Sequence, residues 1–71
     1  MEGVAKQFGR NLFTARRQAG MTQDRLCAKV SINRSVISRM ENGHRLPRLD
    51  HIVRLADAVG VQVRDLLYGI K

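Results

Sequence analysis

Residues Gln23 to Asn42 read QDRLCAKVSINRSVISRMEN, and this stretch decides the fold. Leu26, Cys27 and Val30 share the inner side of its first half, and Val36, Ile37 and Met40 are available to a core from its second. Thr22 precedes the first segment and Asn33 the second. Both are strong N-caps, because their side-chain oxygens accept a backbone N–H that a helix start leaves without a partner. Ser31 and Ile32 lie between the segments. The spacing predicts a helix over 23–30, a tight turn, and a helix over 34–41. Ile32, Ile37 and Met40 would fill the angle between the two helices, and the small Cys27 sits where they approach.

The same reading extends outward. Phe8, Leu12, Ala15 and Ala19 fall at i, i+4, i+7 and i+11, which predicts a first helix over about 4–19 with one apolar stripe. Gly20 ends it, since glycine enters the left-handed conformation cheaply. Asn42-Gly43-His44-Arg45-Leu46-Pro47 is a loop around an Asn-Gly turn pair. A fourth helix follows, with Leu49, Ile52, Val53, Ala56 and Val59 on one side and Gly60 after it. Gln62 to Tyr68 predicts a short fifth helix presenting Val63, Leu66 and Leu67. No stretch alternates as a strand does. The expected fold is all-α, a compact bundle of five short helices in a single domain over 1–71.

With 71 residues, one small core and no separate effector domain are expected. One cysteine excludes an internal disulfide, and one cysteine with two histidines, His44 and His51, argues against a structural zinc. That leaves compact packing, helped by dimerisation. No apolar run approaches a membrane span, and residues 1–6 lack a signal peptide's apolar stretch, so a cytoplasmic, nucleoid-associated location is expected. There is no nucleophile–base spacing, no metal cluster and no glycine-rich phosphate loop, which argues against an enzyme. No cofactor, metal or small-molecule ligand is expected.

Charge gives the first functional direction. The chain carries 13 basic and 6 acidic residues, net +7. The excess is confined to the first 48 residues: +3 over 1–22, +4 over 23–48, and zero over 49–71. Ten of the basic residues are arginine, which favours planar, bidentate recognition of a polyanion over simple solubility. A basic membrane-surface helix fits poorly, because the cations scatter over several helices.

A helix, a tight turn and a second helix form the unit that places its second helix in a DNA major groove. The outer face of that second helix offers Asn33, Arg34, Ser35, Ser38 and Arg39, all able to hydrogen-bond base edges or phosphates. Arg39 is the candidate for a bidentate guanine contact; its alternatives are a phosphate contact or a solvated arginine. Arg34 divides between base and phosphate. Ser35 and Ser38 are equally readable as plain helix-surface serines. One short helix contacts few base pairs, so two copies on a palindrome are expected.

From about Phe8 to Leu67 the chain resembles the phage-repressor and Cro-like (XRE) helix-turn-helix family, with a lambda-repressor-like domain. The resemblance rests on Gly9, Leu12, Arg16, Gly20, Met21-Thr22-Gln23, Leu26, Ile32, Ile37-Ser38-Arg39-Met40-Glu41-Asn42-Gly43, Pro47, Leu49, Leu55-Ala56, Val59-Gly60-Val61 and Leu66. It implies a regulator of transcription, a repressor in type, that binds double-stranded DNA as a homodimer. It implies that Gln23 holds a phosphate at a helix start, that Arg34, Ser35 and Arg39 read bases with Asn33 and Ser38 at the margin, and that Asn42, Gly43, His44 and Arg45 touch phosphates, joined by Arg48. It makes Arg16 and Glu41 a structural ion pair and thereby removes Arg16 from the DNA contacts. It assigns Leu66 to the core. Leu67, Tyr68 and Ile70 become a dimer seam, with packing of the tail on its own monomer as the alternative. A Cro-like repressor, a controller protein of a restriction–modification system and a DNA-binding antitoxin all fit. Rivals of another class are a protein-interaction module and a non-specific nucleic-acid binder.

Four positions depart from the family pattern. Ser31 stands where glycine is usual, at a turn expected to need φ > 0. Cys27 replaces a usual alanine and is expected to act as a small buried hydrophobe rather than a redox sensor. Arg48 occupies a capping position and predicts a poorly capped fourth helix. Phe13 lies off the first helix's stripe, either folded down over the small Ala15 or exposed to a partner. His44 is expected near a phosphate and His51 on the surface.

Overall fold

The computed structural model describes residues 2–71; Met1, which falls in the expected 1–71 domain, lies outside them. The described residues form α1 (Glu2–Gln18), α2 (Gln23–Val30), α3 (Arg34–Glu41), α4 (Leu49–Val59) and α5 (Val63–Leu66), and none is in a strand. Every helix gives a side chain to one core. Phe8, Leu12, Leu26, Ile37, Met40, Leu55 and Leu66 are fully buried there. Among the described residues no helix is long and apolar enough to cross a membrane.

The turns carry out what their residues dictate. Gly20 takes φ 72°, and the Met21 N–H donates to the Arg16 carbonyl at 3.1 Å. That wrap ends α1 at Gln18, so Ala19 leaves the apolar stripe and is exposed, against expectation. Ser31 ends α2 in the left-handed region at φ 56°, ψ 42°, the conformation expected for the missing glycine. The Ile32 N–H then donates to the Cys27 carbonyl at 3.3 Å, which turns Ile32 into the core. Thr22 Oγ1 accepts from the Arg25 N–H at 3.1 Å, and Asn33 Oδ1 accepts from the Ser35 N–H at 2.8 Å. Arg48 makes no side-chain cap to α4, as its size and charge predict. At α5 the Gln62 N–H donates to Asp65 Oδ2 at 2.9 Å.

Three readings of the core need correction. Cys27 and Val36 are only partly buried and pack against its margin. In α4, Leu49 is 74% and Val53 51% exposed. The covered face of α4 is instead Ile52, Leu55, Ala56, Ala58 and Val59. The apolar arc is wider than the surface its neighbours cover, and Leu49 and Val53 fall on its open edge. The fifth helix is also shorter than 62–68, ending at Leu66.

Gly9 is required by a close approach. A Cβ there would strike the carbonyl oxygens of Met40 and Glu41, the latter at 2.7 Å. Glycine thus lets α1 lie directly on the C-terminal end of α3. Elsewhere long polar side chains lace the elements together. Lys29 Nζ donates to the Ala58 carbonyl at 3.1 Å, and Arg54 donates to the Val30 carbonyl, tying α2 to α4. Asn11 Nδ2 donates to the Leu66 and Tyr68 carbonyls at 2.9 and 2.8 Å, holding the tail against α1.

Candidate nucleic-acid interface

Behind α3 sits a closed polar junction. Arg16 meets Glu41 through two parallel bonds, Nε to Oε2 at 2.7 Å and Nη2 to Oε1 at 3.0 Å. The two side chains are 8% and 3% exposed. Arg16 Nη1 also donates to the Met21 carbonyl at 2.8 Å, and Gln23 Nε2 donates to Glu41 Oε1 at 2.9 Å. One carboxylate therefore fixes α1, the start of α2 and the end of α3. The fork geometry of arginine suits this bidentate contact, and the added donors offset the desolvation of the buried charges. Arg16 is thereby committed to the fold.

The outer face of α3 is open. Arg39 is exposed and forms no side-chain hydrogen bond or ion pair among the described residues. Arg34 is not equally free. Its Nε lies 3.4 Å from Asp24 Oδ1 and 3.4 Å from Gln23 Oε1, so it leans toward α2. Asp24, on α2, is thus the acidic neighbour of Arg34. The contact is long, both side chains are well exposed, and such pairs contribute little. Ser35 Oγ donates to Asn33 Oδ1 at 2.8 Å, so that carbonyl serves the cap and the hydroxyl together. Ser38 Oγ accepts from Asn42 Nδ2 at 3.4 Å. The structure brings Arg34, Ser35, Ser38 and Arg39 onto one helix with Asn33 as its N-cap, and leaves Arg39 and the Asn33 side-chain amide nitrogen most available.

Gln23 opens α2 beside this face, but its side chain is already bonded to Glu41. Asn42 and Gly43 close α3, with Gly43 at φ 75°. The Gly43 and His44 N–H groups donate to the Met40 and Arg39 carbonyls at 3.1 and 2.8 Å. Those two amides are spent on ending the helix, which leaves the loop's side chains, His44 and Arg45 among them, as its outward donors. Arg48 pairs with Asp50 at 3.2 Å in an exposed contact.

Phe13 is 44% exposed, with the Arg16 and Arg17 guanidinium carbons 5.3 and 5.6 Å from its ring centre. It therefore neither folds into the core nor stands alone. Burial pushes the Cys27 thiol above its ordinary range, with Asp24 adding to the shift and Arg34 opposing it. A protonated thiol is a poor redox sensor. His51 is half-buried with its Nδ1 enclosed and unpartnered, not simply on the surface. Ile70 packs against the core, whereas Leu67 and Tyr68 are exposed. Asn11, which anchors the tail, went unread in the sequence; a lone asparagine on a helix gives no signal of a partner 55 or 57 residues away.

A helix cap, a left-handed turn and a second helix locked from behind define a helix-turn-helix protein. Residues 12–66 match the helix-turn-helix family model, and the chain belongs to that family. Its relatives include the control protein C.BamHI of Bacillus amyloliquefaciens, 38% identical over 50 residues. That match takes in 70% of this chain but only 62% of C.BamHI. A second relative is an uncharacterized HTH-type transcriptional regulator, y4dJ, of Sinorhizobium fredii. It is 32% identical over 90% of this chain and 83% of its own length. The fold is also that of the restriction–modification controller protein C.AhdI from Aeromonas hydrophila. There the TM-score is 0.83 at 31% identity, covering 87% of this chain and 94% of the other. A hypothetical transcription factor from Neisseria, NHTF, superposes with a TM-score of 0.85 at 25% identity, covering 94% and 78%.

Proposed function

We propose that the protein is a DNA-binding transcriptional regulator that sets α3 in the major groove and reads base edges there. The observation that carries this reading is Arg39: exposed, without a partner among the described residues, on a helix held from behind by Arg16–Glu41. Arginine in that position donates two parallel bonds to guanine. Asn33, Ser35 and Ser38 flank it as lesser base contacts, and Arg34 exchanges its long contact with Asp24 for base or phosphate. The side chains of Gln23, Asn42, His44, Arg45 and Arg48 hold phosphates, with Gly43, whose N–H is already bonded to the Met40 carbonyl, shaping the turn that presents them. The test is selection of randomised duplex DNA by the purified protein at near-physiological salt. A shared motif is expected, and Arg39→Ala is expected to lose preference at one base pair of it. Equal weakening on all sequences would instead define a binder driven by charge alone.

The regulator acts as a homodimer on a palindrome. Exposed apolar side chains support this: Leu67 and Tyr68 at the tail, and Leu46, Leu49 and Val53 around the start of α4. Ile70, turned toward the core, contributes less than the sequence implied. Sedimentation of the protein–DNA complex checks it; a single subunit on a specific site overturns it. Among regulators, the control protein of a restriction–modification system is favoured, because C.AhdI is by name a restriction–modification controller protein and C.BamHI a control protein. Binding to the promoter of its own gene beside endonuclease and methyltransferase genes is the expected finding.

A further inference from the structure

Lys6, Arg10, Phe13 and Arg17 recur at i, i+4, i+7 and i+11 along α1, within about 60° of one another around the helix. All four are exposed, and the three cations form no ion pair among the described residues. From these residues we infer that the outer face of α1 is a phosphate track, which holds DNA backbone beyond the groove that α3 enters. The inference rests on the DNA-binding reading above.

Position supports the inference at both ends of the stripe. At its start, Lys6 lies against Gly43, whose added Cβ would come within 2.9 Å of the Lys6 Cγ. Lys6, Arg10 and Phe13 line one shallow cleft with Glu41 and Asn42. At its end, Arg17 lines another cleft with Thr22, Gln23 and Arg34. The stripe thus runs from the loop after α3 to the opening of α2, the two places assigned to phosphates. Its length, on the order of 16 Å, matches about five base pairs of duplex.

Charge points the same way. After its first residue, Glu2, α1 has no acidic residue through Gln18, and the Glu41 carboxylate that lines the cleft with Lys6 and Arg10 is enclosed and already bonded to Arg16 and Gln23. A solvated helix face ordinarily intersperses both signs. Phe13 adds a platform on which the Arg17 guanidinium rests, which limits its freedom before any phosphate arrives. Lys6 and Arg10 precede residues 12–66, the segment that the family model matches.

The experiment compares the full chain with Lys6→Gln/Arg10→Gln/Arg17→Gln on the selected operator DNA, across a series of salt concentrations. Glutamine keeps helix propensity, and thermal melting verifies that the fold persists. The triple variant is expected to lower the slope of log K against log salt by about 2–3, near one per phosphate contact. Affinity should fall at least about tenfold at moderate salt while the selected motif stays the same. Arg10→Lys/Arg17→Lys should restore most of the slope, because point charges suffice for phosphate. Phosphate-ethylation interference should lose sites flanking the half-sites. An unchanged slope with normal operator binding by the triple variant would overturn the track alone and leave the stripe to an acidic protein segment. Wild-type protein that retains no DNA would overturn the track and the DNA-binding reading together.

Discussion

Arg16–Glu41 behind α3 and Arg34–Asp24 in front of it are both arginine–carboxylate contacts, and they share little else. The first is bidentate, with bonds of 2.7 and 3.0 Å, and nearly enclosed. The second is a single approach of 3.4 Å between side chains that are 64% and 74% exposed. Water competes for the exposed pair and salt screens it, so it holds nothing in place. The buried pair has no water to fall back on, so either partner alone is costly. The back of α3 is therefore fixed, while its front keeps side chains that are free to exchange partners. A base-reading surface needs that division: a set backbone and available donors.

The largest expected effect breaks the fixed side. Arg16→Met strands the Glu41 carboxylate and should cost about 3–5 kcal/mol in urea unfolding, enough to leave a domain of this size largely unfolded. Gly9→Ala attacks the same junction by volume rather than charge. It pushes α1 off the Met40 and Glu41 carbonyls and should cost about 1–3 kcal/mol, read as a lower melting temperature. Ser31→Gly moves the other way. At φ 56° the serine Cβ is strained, so glycine should stabilise by about 1 kcal/mol; a lowered melting temperature would refute the conformation. On the open side, Arg39→Ala should change stability by less than about 0.5 kcal/mol and yet relax operator preference by titration. Asp24→Asn is the smallest. Unfolding should shift by no more than about 0.5 kcal/mol, and operator affinity should rise slightly as Arg34 is released.

The sequence was most informative where the signal is local. Helical periodicity and the caps Thr22 and Asn33 located α2 and α3 to the residue, because N-cap chemistry is read from a handful of neighbours. The absence of glycine at Ser31 foretold a strained turn. The Arg16–Glu41 pair was legible only through family resemblance, since nothing across a separation of 25 positions marks the two as partners. Leu49 and Val53 were misplaced because periodicity orients an apolar arc but does not say which edge a neighbour covers. Arg34 and Gln23 were placed on the right elements, but their bonds to Asp24 and Glu41 depend on how two helices cross. Asn11 and the tail it holds were invisible for the same reason: long-range polar contacts leave no period in a sequence.

The polar junction behind α3 also bears on how such a protein changes over generations. Ile37, Met40 and Glu41 secure the helix entirely from its inner side. Ser35, Ser38 and Arg39 can then be exchanged with little loss of folded protein, so a variant with a new operator begins from a stable scaffold. On the proposed reading of α3, substitutions that redirect the protein to another site need no compensating repair of its core.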